Sequence, residues 1–249
     1  MEERYQRNRI YITPEEQCKV KETKILLGGV GLGSVIAECA LRLGFETITL
    51  IDGDKVELSN LNRQNYKTVD IGDYKVEALK RRLEEINPNA KITTVQAFID
   101  HENVEELVKG HDIAINALDF KSDIPFVFDE VCKKFNIPVV HPYNIGWAGL
   151  ITVVDPSGKQ LIDLNKDWHN FEVQFVKHIA NYYRYWGGPQ LWLEKILEQF
   201  ENEKGELPPP QLAVASWIVG GLTANLLFDI AVGKSFKRYP QFYLSTTKS

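Results

Sequence analysis

Cysteine is scarce in this sequence: its 249 residues include only Cys18, Cys39 and Cys132. No two of them form a CxxC pair, and three cysteines are too few for a four-cysteine zinc site. Each lies next to apolar residues in a segment predicted to be helical. We therefore expect three small, buried side chains rather than reactive thiols, and no zinc.

Membrane-spanning and secretory signals are missing as well. Residues 1–7 are too polar for a secretory signal. The longest apolar stretch, 212–232, is interrupted by internal glycines and by Asp229, which favours a packed helix over a membrane span. The net charge of −5 argues against broad nucleic-acid binding. These features predict a cytoplasmic protein that contacts neither membranes nor, by its overall charge, nucleic acids.

What is present is a regular alternation of short apolar runs and amphipathic segments. Apolar runs at 24–27, 47–51, 91–97, 112–117, 139–141, 149–154 and 242–244 predict strands. Segments at 35–43, 74–86, 102–109, 124–135 and 212–232 predict helices, and a short helix is predicted to start at Thr13-Pro14 and to end before residue 24. The pattern predicts an α/β fold with a Rossmann-like, mostly parallel sheet, helices on both faces and antiparallel strands added by the C-terminal part.

The chain is predicted to be one domain over 1–249, with an insert at about 155–211 that is rich in Trp, Tyr and Phe. Within the insert, Glu201–Pro210 reads as a polar loop.

A glycine-rich turn follows the first strand, at a place where backbone N–H groups can approach a phosphate. Its glycines are Gly28, Gly29, Gly31 and Gly33, and their spacing departs from the usual dinucleotide pattern. Asp52 ends the second strand, about 20 residues further on, where such folds place a ribose-binding acid. A tight turn without ligand and a turn-capping role for Asp52 remain the alternatives.

Two cations and a further acid complete a possible nucleotide site. Arg63 and Lys75 flank a polar run, and they can neutralise phosphate charge or stay as solvated surface charges. Asp119 follows a strand, where it can hold Mg²⁺ or cap the strand end. Because ligands in such sheets bind at the carboxyl ends of strands, we expect the glycine turn, Asp52 and Asp119 to share one crevice. His141, at another strand end, is expected to be structural.

Taken together these residues resemble the ThiF/MoeB family, the adenylating enzymes related to ubiquitin-activating enzymes. The resemblance spans residues 4 to about 155 and returns weakly near 212 and 242. It is carried by the run Asp52-Gly53-Asp54-Lys55-Val56-Glu57-Leu58-Ser59-Asn60-Leu61-Asn62-Arg63-Gln64, by Gly72-Asp73-Tyr74-Lys75, by Arg4-Tyr5-Gln6-Arg7, by Asp119 and by Gly149-Leu150-Ile151-Thr152-Val153.

The resemblance implies ATP-dependent adenylation of a carboxylate, typically the C-terminus of a small ubiquitin-like or sulfur-carrier protein or peptide. Arg63 and Lys75 would hold the triphosphate, Asn60 and Gln64 would position phosphate oxygens, and Asp119 would carry Mg²⁺. Asp52 would accept hydrogen bonds from the ribose hydroxyls, and Asp54 is a further candidate for cofactor binding. Arg7 would act at the active site of the partner subunit in a homodimer. Arg9 would take this role if the N-terminal motif aligned differently with that of the family.

Three other functions stay open from the sequence. A nicotinamide-dependent oxidoreductase explains the glycine turn and Asp52 but not Arg63, Lys75 and Asp119 together. A tRNA-modifying, ATP-dependent dehydratase belongs to the same family, although the acidic net charge counts against it. A non-catalytic partner of an active homologue would not need these charged residues intact. Because 155–211 contains no cysteine, we do not expect a thioester step after adenylation.

Overall fold

Seven strands form a single sheet in the order β3-β2-β1-β4-β5-β6-β7. The computed structural model describes residues 2–165, 167–169, 171–203 and 207–248. The strands are β1 (Lys24–Gly28), β2 (Thr47–Ile51), β3 (Lys91–Val95), β4 (Ile113–Asn116), β5 (Val139–Asn144), β6 (Ala148–Val154) and β7 (Tyr243–Thr246). Neighbours among β1–β5 are parallel, whereas β6 and β7 join antiparallel. The predicted fold class is confirmed.

Eight α-helices lie within the described part of the chain. They are α1 (Pro14–Glu22), α2 (Gly33–Leu43), α3 (Lys75–Ile86), α4 (Val104–Val108), α5 (Ile124–Lys134), α6 (Phe171–Tyr185), α7 (Leu191–Asn202) and α8 (Ala213–Val232). Local signals set several ends: Thr13 and Glu16 form a capping box at the start of α1, and Gly44, with φ +126°, ends α2.

The sheet is buried on both faces because neighbouring residues of a strand point to opposite sides. In β1, Leu27 joins the core formed with α2, α3 and α8, whereas Leu26 joins the core formed with α5 and α6. This two-sided burial explains why the parallel strands read as continuous apolar runs rather than as alternating patterns.

Helix α8 is the apolar segment predicted at 212–232. Within the described residues it is the one helix long and apolar enough to cross a membrane, and half of its most apolar window is buried inside the protein. It packs against α2 and β6. These contacts agree with the predicted packed helix.

The structure corrects two details of the sequence analysis. The predicted loop Glu201–Pro210 starts too early, because α7 continues to Asn202; residues 204–206 lie outside the described part of the chain. Cys18 was expected to be buried but is exposed on α1, while Cys39 is half-buried and Cys132 is buried. Helix α1 covers the core with one face only, and Cys18 lies on the other.

Candidate functional site

The carboxyl ends of β1 and β4 form the floor of a crevice. These strands are neighbours, but the chain leaves β1 toward β2 on one side and continues from β4 to β5 on the other. The crevice outside such a topological switch point is where open α/β sheets bind their ligands. The loops after β1, β2 and β4 carry the glycine turn, Asp52 and Asp119, as the sequence predicted.

The glycine turn is closely packed against the loop that follows β4. Gly29 has φ +86°, and a Cβ atom there would lie 2.4 Å from the carbonyl oxygen of Ala117. Only glycine fits this backbone conformation and this approach. A Cβ on Gly28 would press on Ile99 and Phe128, and one on Gly33 would press on Leu27. The irregular glycine spacing therefore has local packing reasons.

Asp52 links the glycine turn to the loop after β2. Its Oδ2 accepts a hydrogen bond from the Val30 N–H at 2.9 Å, and its Oδ1 accepts one from the Asp54 N–H at 2.8 Å. Burial raises the pKa of the Asp52 carboxyl, while the positive charge of Lys75 opposes that rise. The turn-capping alternative is thus realised, and ribose binding through the remaining lone pairs stays a prediction.

Lys75 begins α3 and is not a solvated surface charge. Its side chain is buried, and its Nζ lies 2.8 Å from Asp54 Oδ2. Its backbone N–H also donates to the Asp54 carbonyl at 3.0 Å. A buried ammonium group needs such a partner. Asp54 thereby holds Lys75 beside Asp52 through both its carboxylate and its backbone carbonyl.

Arg63 lies on the turn that follows a short 3₁₀ helix, Leu58–Asn60. Its Nη1 donates to the Ser59 carbonyl at 2.9 Å and to Asn62 Oδ1 at 2.8 Å, and its Nε donates to Gln211 Oε1. Burial lowers the pKa of the guanidinium, and the charge of Asp119 raises it. Arg63 and Asp119 are therefore close enough to interact electrostatically.

Asn60 and Gln64 are partly committed to holding this turn. Asn60 is buried, and its Oδ1 accepts from the Glu57 N–H at 3.0 Å. The Gln64 side chain lies against Gly31, where a Cβ atom would be 3.1 Å from Gln64 Nε2. Gln64 Oε1 is buried without a hydrogen-bond partner in the described structure. An unpaired buried acceptor beside the glycine turn suits a ligand that brings a donor.

Asp119 is exposed in the loop after β4 and pairs with Lys121, whose Nζ lies 3.0 Å from Asp119 Oδ2. The described residues contain no group of three His, Cys, Asp or Glu side chains placed to hold a metal ion. Mg²⁺ is usually bound by one or two carboxylates together with substrate phosphates. The single exposed carboxylate of Asp119 therefore fits Mg²⁺ carried by a nucleotide.

Three residues near this crevice escaped the sequence analysis: Lys121, Glu172 and Gln211. Lys121 follows Asp119 by two residues, so its nearness could have been read from the sequence. Glu172 lies on the first turn of α6, where burial and the charge of Asp119 raise its pKa to about 7 and the charge of Lys121 opposes that rise. No motif marks Glu172 or Gln211, which come from distant segments.

His141 has the structural surroundings that the sequence analysis favoured. It is buried in β5, and its Nε2 lies 2.9 Å from Asp129 Oδ1. The same Asp129 oxygen accepts from Asn116 Nδ2 at 3.0 Å. The group connects α5 to β4 and β5 underneath the crevice.

Arg7 lies near the amino-terminal ends of the strands, whereas the crevice lies at their carboxyl ends. It belongs to a 3₁₀ helix, Glu3–Asn8, that is anchored where Tyr5 OH donates to Glu46 Oε1 at 2.7 Å. Glu46 precedes β2, whereas Asp52 follows it, and five strand residues span about 16 Å. The structure does not bring Arg7 or Arg9 to the other predicted site residues of the same chain, and both side chains are exposed.

Comparisons with known proteins identify relatives that match 60–64% of the chain. SAMP-activating enzyme E1 of Haloferax volcanii is 30% identical over 160 residues, which is 63% of this chain and 59% of that protein. Molybdopterin-synthase adenylyltransferase of Haemophilus influenzae is 32% identical over 60% of this chain and 63% of its own length. A tRNA threonylcarbamoyladenosine dehydratase of the same species is 34% identical over 64% of this chain and 59% of its length. The chain thus spans less than two thirds of these relatives.

Solved structures share the fold over nearly the whole chain. Escherichia coli MccB with AMPCPP and MccA superposes with a TM-score of 0.72 at 18% identity, covering 99% of this chain and 71% of that one. PaaA superposes with a TM-score of 0.66 at 22% identity, covering 93% and 63%. A model of the ThiF family matches residues 5–248. This chain belongs to the ThiF family.

Proposed function

We propose that this protein adenylates a carboxylate with ATP and Mg²⁺, and that the carboxylate is the C-terminus of a small ubiquitin-like or sulfur-carrier protein or peptide. The observation that carries the proposal is the meeting of Arg63, Lys75 and Asp119 beside the glycine turn. Relatives named as adenylyltransferases and as a SAMP-activating enzyme support it.

In this reaction a carboxylate oxygen attacks the α-phosphorus of ATP. The bond between the α-phosphorus and the oxygen that bridges to the β-phosphate breaks, and pyrophosphate leaves. Positioning and charge neutralisation are what the protein must supply. Arg63 and Lys75 neutralise the negative charge that builds up on the phosphates. The backbone N–H groups of the glycine turn lie at the start of α2, where a helix favours negative charge. When bound, Mg²⁺ would be held by Asp119 and would neutralise phosphate charge.

Arg7 extends the proposal to a homodimer. Within one chain it lies about a strand length from Asp52, so any role at the active site requires a second subunit that brings its Arg7 to this crevice. We therefore propose a homodimer with two equivalent sites, each completed by the other subunit. A cytoplasmic location is part of the same proposal. Residues 155–211, with α6 and α7, are proposed to shape the side of the site that receives the acceptor.

The test is exchange of labelled pyrophosphate into ATP in the presence of candidate C-terminal peptides. Arg63→Ala and Asp119→Ala should each reduce exchange by about a hundredfold or more, because each removes charge stabilisation at the reacting phosphates. Lys109→Ala is the matched control: Lys109 is exposed after α4 and precedes β4, on the side of the amino-terminal strand ends and away from the crevice, so exchange should be unchanged. Full exchange by the Arg63 and Asp119 variants would contradict the site.

A second candidate is an ATP-dependent dehydratase acting on modified tRNA, favoured by the relative that is 34% identical. The net charge of −5 works against it, because RNA binding depends on cations that meet the phosphate backbone. The two candidates separate in one assay: ATP consumption that requires tRNA and ignores every peptide would replace the first proposal with the second. A nicotinamide-dependent activity is not proposed, since it leaves Arg63, Lys75 and Asp119 without a role.

A further inference from the structure

The guanidinium group of Arg63 is held on two of its three nitrogens. An arginine side chain offers five N–H donors in a planar fork. Nε donates to Gln211 Oε1, and Nη1 donates to the Ser59 carbonyl at 2.9 Å and to Asn62 Oδ1 at 2.8 Å. Among the described residues no acceptor is assigned to Nη2. The fork is therefore fixed along one side, and its two Nη2 donors are left for a ligand.

Gln211 is the only one of these three partners that comes from outside the turn carrying Arg63. It lies 148 residues further along the chain, two residues before the start of α8. Its backbone is tied to the same turn, because Asn62 Nδ2 donates to the Gln211 carbonyl at 3.3 Å. Both the side chain and the main chain of Gln211 thus contact the Asn62–Arg63 turn.

The residue after Gln211 is fixed to the sheet. Leu212 accepts from Asn144 Nδ2 at 2.8 Å through its carbonyl and donates to Asn144 Oδ1 at 3.3 Å through its N–H. Asn144 ends β5 and also donates to Ser216 Oγ at 2.9 Å. On the other side of Gln211, Pro208–Pro210 restrict the backbone. Gln211 thus lies between Leu212, which Asn144 holds, and a stiff proline segment. The backbone position from which its side chain extends is therefore fixed.

We propose that Gln211 is a positioning residue for Arg63: it orients the guanidinium so that the two Nη2 donors meet the triphosphate, and it links nucleotide binding to the start of α8. A glutamine suits this role because a neutral acceptor orients the cation without cancelling its charge, whereas a carboxylate would neutralise it. This inference rests on the proposed function, since it assumes that Arg63 binds ATP.

The experiment is a double-mutant cycle read out by ATP affinity in the full-length protein. Gln211→Met keeps the side-chain length and removes the acceptor, so the dissociation constant for ATP should rise about tenfold, the typical loss for one hydrogen bond to a charged group. In an Arg63→Ala background, the same Gln211→Met change should have no further effect. Gln241→Met makes the same substitution at an exposed residue just before β7; it is the matched control and should bind ATP like the wild type.

A second readout separates positioning from a structural role. Hydrogen exchange of the amides of residues 211–216 should slow when ATP binds to the wild type. The slowing should disappear in Gln211→Met, while the melting temperature without ATP stays close to that of the wild type.

Two results would overturn the inference: wild-type ATP affinity in Gln211→Met, or an equal loss of affinity whether or not Arg63 is present. Neither result touches the adenylation proposal, which fails separately if Arg63→Ala retains full pyrophosphate exchange.

Discussion

The charged side chains of the crevice are arranged in pairs of opposite sign. Lys75 pairs with Asp54, and Asp119 pairs with Lys121. The first pair allows the buried ammonium group of Lys75 to lie beside the strand ends, where an isolated charge would be costly, whereas Asp119 and Lys121 form an exposed pair. Glu172 differs, because burial and the charge of Asp119 raise the pKa of its carboxyl to about 7. Because the folded state favours the protonated form of this carboxyl, the free energy of unfolding depends on pH.

Substituting Glu172 by glutamine tests this dependence. The ordinary pKa of a glutamate is 4.5, and folding raises that of Glu172 to about 7. Below pH 4.5 the carboxyl is protonated in both states and contributes no pH dependence. Between pH 4.5 and 7 the unfolded chain loses this proton first, so stability falls as pH rises, and above 7 the loss is complete. Glu172→Gln should therefore raise the free energy of unfolding at pH 8, by an amount on the order of 1 kcal/mol, and change it little at pH 4.

Urea unfolding at the two pH values measures this difference. Glu130→Gln, an exposed carboxylate on α5, is the matched control and should leave stability nearly unchanged at both. A Glu172→Gln protein that is less stable than the wild type at pH 8 would show that the ionised carboxylate is stabilising.

Which site residues the sequence could reveal depends on how far apart they lie along the chain. Asp52, Arg63 and Lys75 stand within 24 residues of one another in a recognisable run. Their residue types and order were therefore enough to predict them as site residues from the sequence. Gln211 reaches Arg63 across 148 residues, and Glu172 is one acidic residue in an aromatic-rich segment. Nothing local marks either, because their positions are set by the packing of α6 and α8 and not by their neighbours in sequence.

At the scale of elements, α8 is held against the sheet and α2 by close contacts at small residues. A Cβ atom on Gly149 in β6 would lie 2.8 Å from Ile218 Cγ2, and one on Gly220 would lie 2.9 Å from Val35 Cγ1. Glycine on each side therefore lets α8 approach both elements closely. Since α8 begins at the residue after the Leu212 clamp, its seating also fixes the segment that carries Gln211.

The neighbouring glycines of α8 provide a matched pair of variants. A methyl group added at Gly220 meets Val35, whereas one added at Gly221 has nothing within 4 Å. Alanine is favoured over glycine in a helix by about 0.5–1 kcal/mol. Gly221→Ala should thus stabilise the protein by about that amount, while Gly220→Ala should lose about 1 kcal/mol or more to overpacking. Chemical denaturation of the two variants measures the contrast, and equal stabilities would mean that α2 and α8 are not tightly packed at Gly220.

The sequence predicted elements best where a local cap or stop marks them. Thr13, Glu16 and Gly44 set the ends of α1 and α2 in sequence and structure alike. The insert was less readable, although Phe171, Phe175 and Ile179 recur every four residues and are all buried in α6. That spacing is a helix signal, and the many other aromatic residues around it obscured it. Several of those, including Tyr185 and Trp186, are exposed and so follow no burial pattern.

At the scale of the whole molecule, the sheet separates two groups of predicted residues. The glycine turn, Asp52 and Asp119 follow their strands, whereas the turn with Arg7 is anchored before β2 through Tyr5 and Glu46. Sequence order cannot show this separation, because it depends on which end of each strand a residue meets. Arg7 therefore has a catalytic role only if a second copy of the chain places it at this crevice.

Mixing two inactive variants tests that role. A homodimer of the Arg7→Ala variant should be inactive, because neither site receives Arg7 from the partner subunit. A homodimer of the Arg63→Ala variant should be inactive, because both sites lack Arg63. In a mixed dimer the Arg7→Ala subunit keeps its Arg63 and receives Arg7 from the other subunit, so one of its two sites is complete. Random re-association at equal amounts makes half of the dimers mixed, and about a quarter of the sites should then be active.

Pyrophosphate exchange after dissociation and re-association of the mixture measures this recovery, and each variant treated alone is the control. Recovery near a quarter of the wild-type rate supports a site shared between subunits. No recovery from the mixture, with Arg7→Ala alone inactive, would mean that Arg7 acts on its own chain or on its fold. An Arg7→Ala protein with full exchange would remove Arg7 from the site altogether, leaving Arg63 and Lys75 as the cations that face the triphosphate.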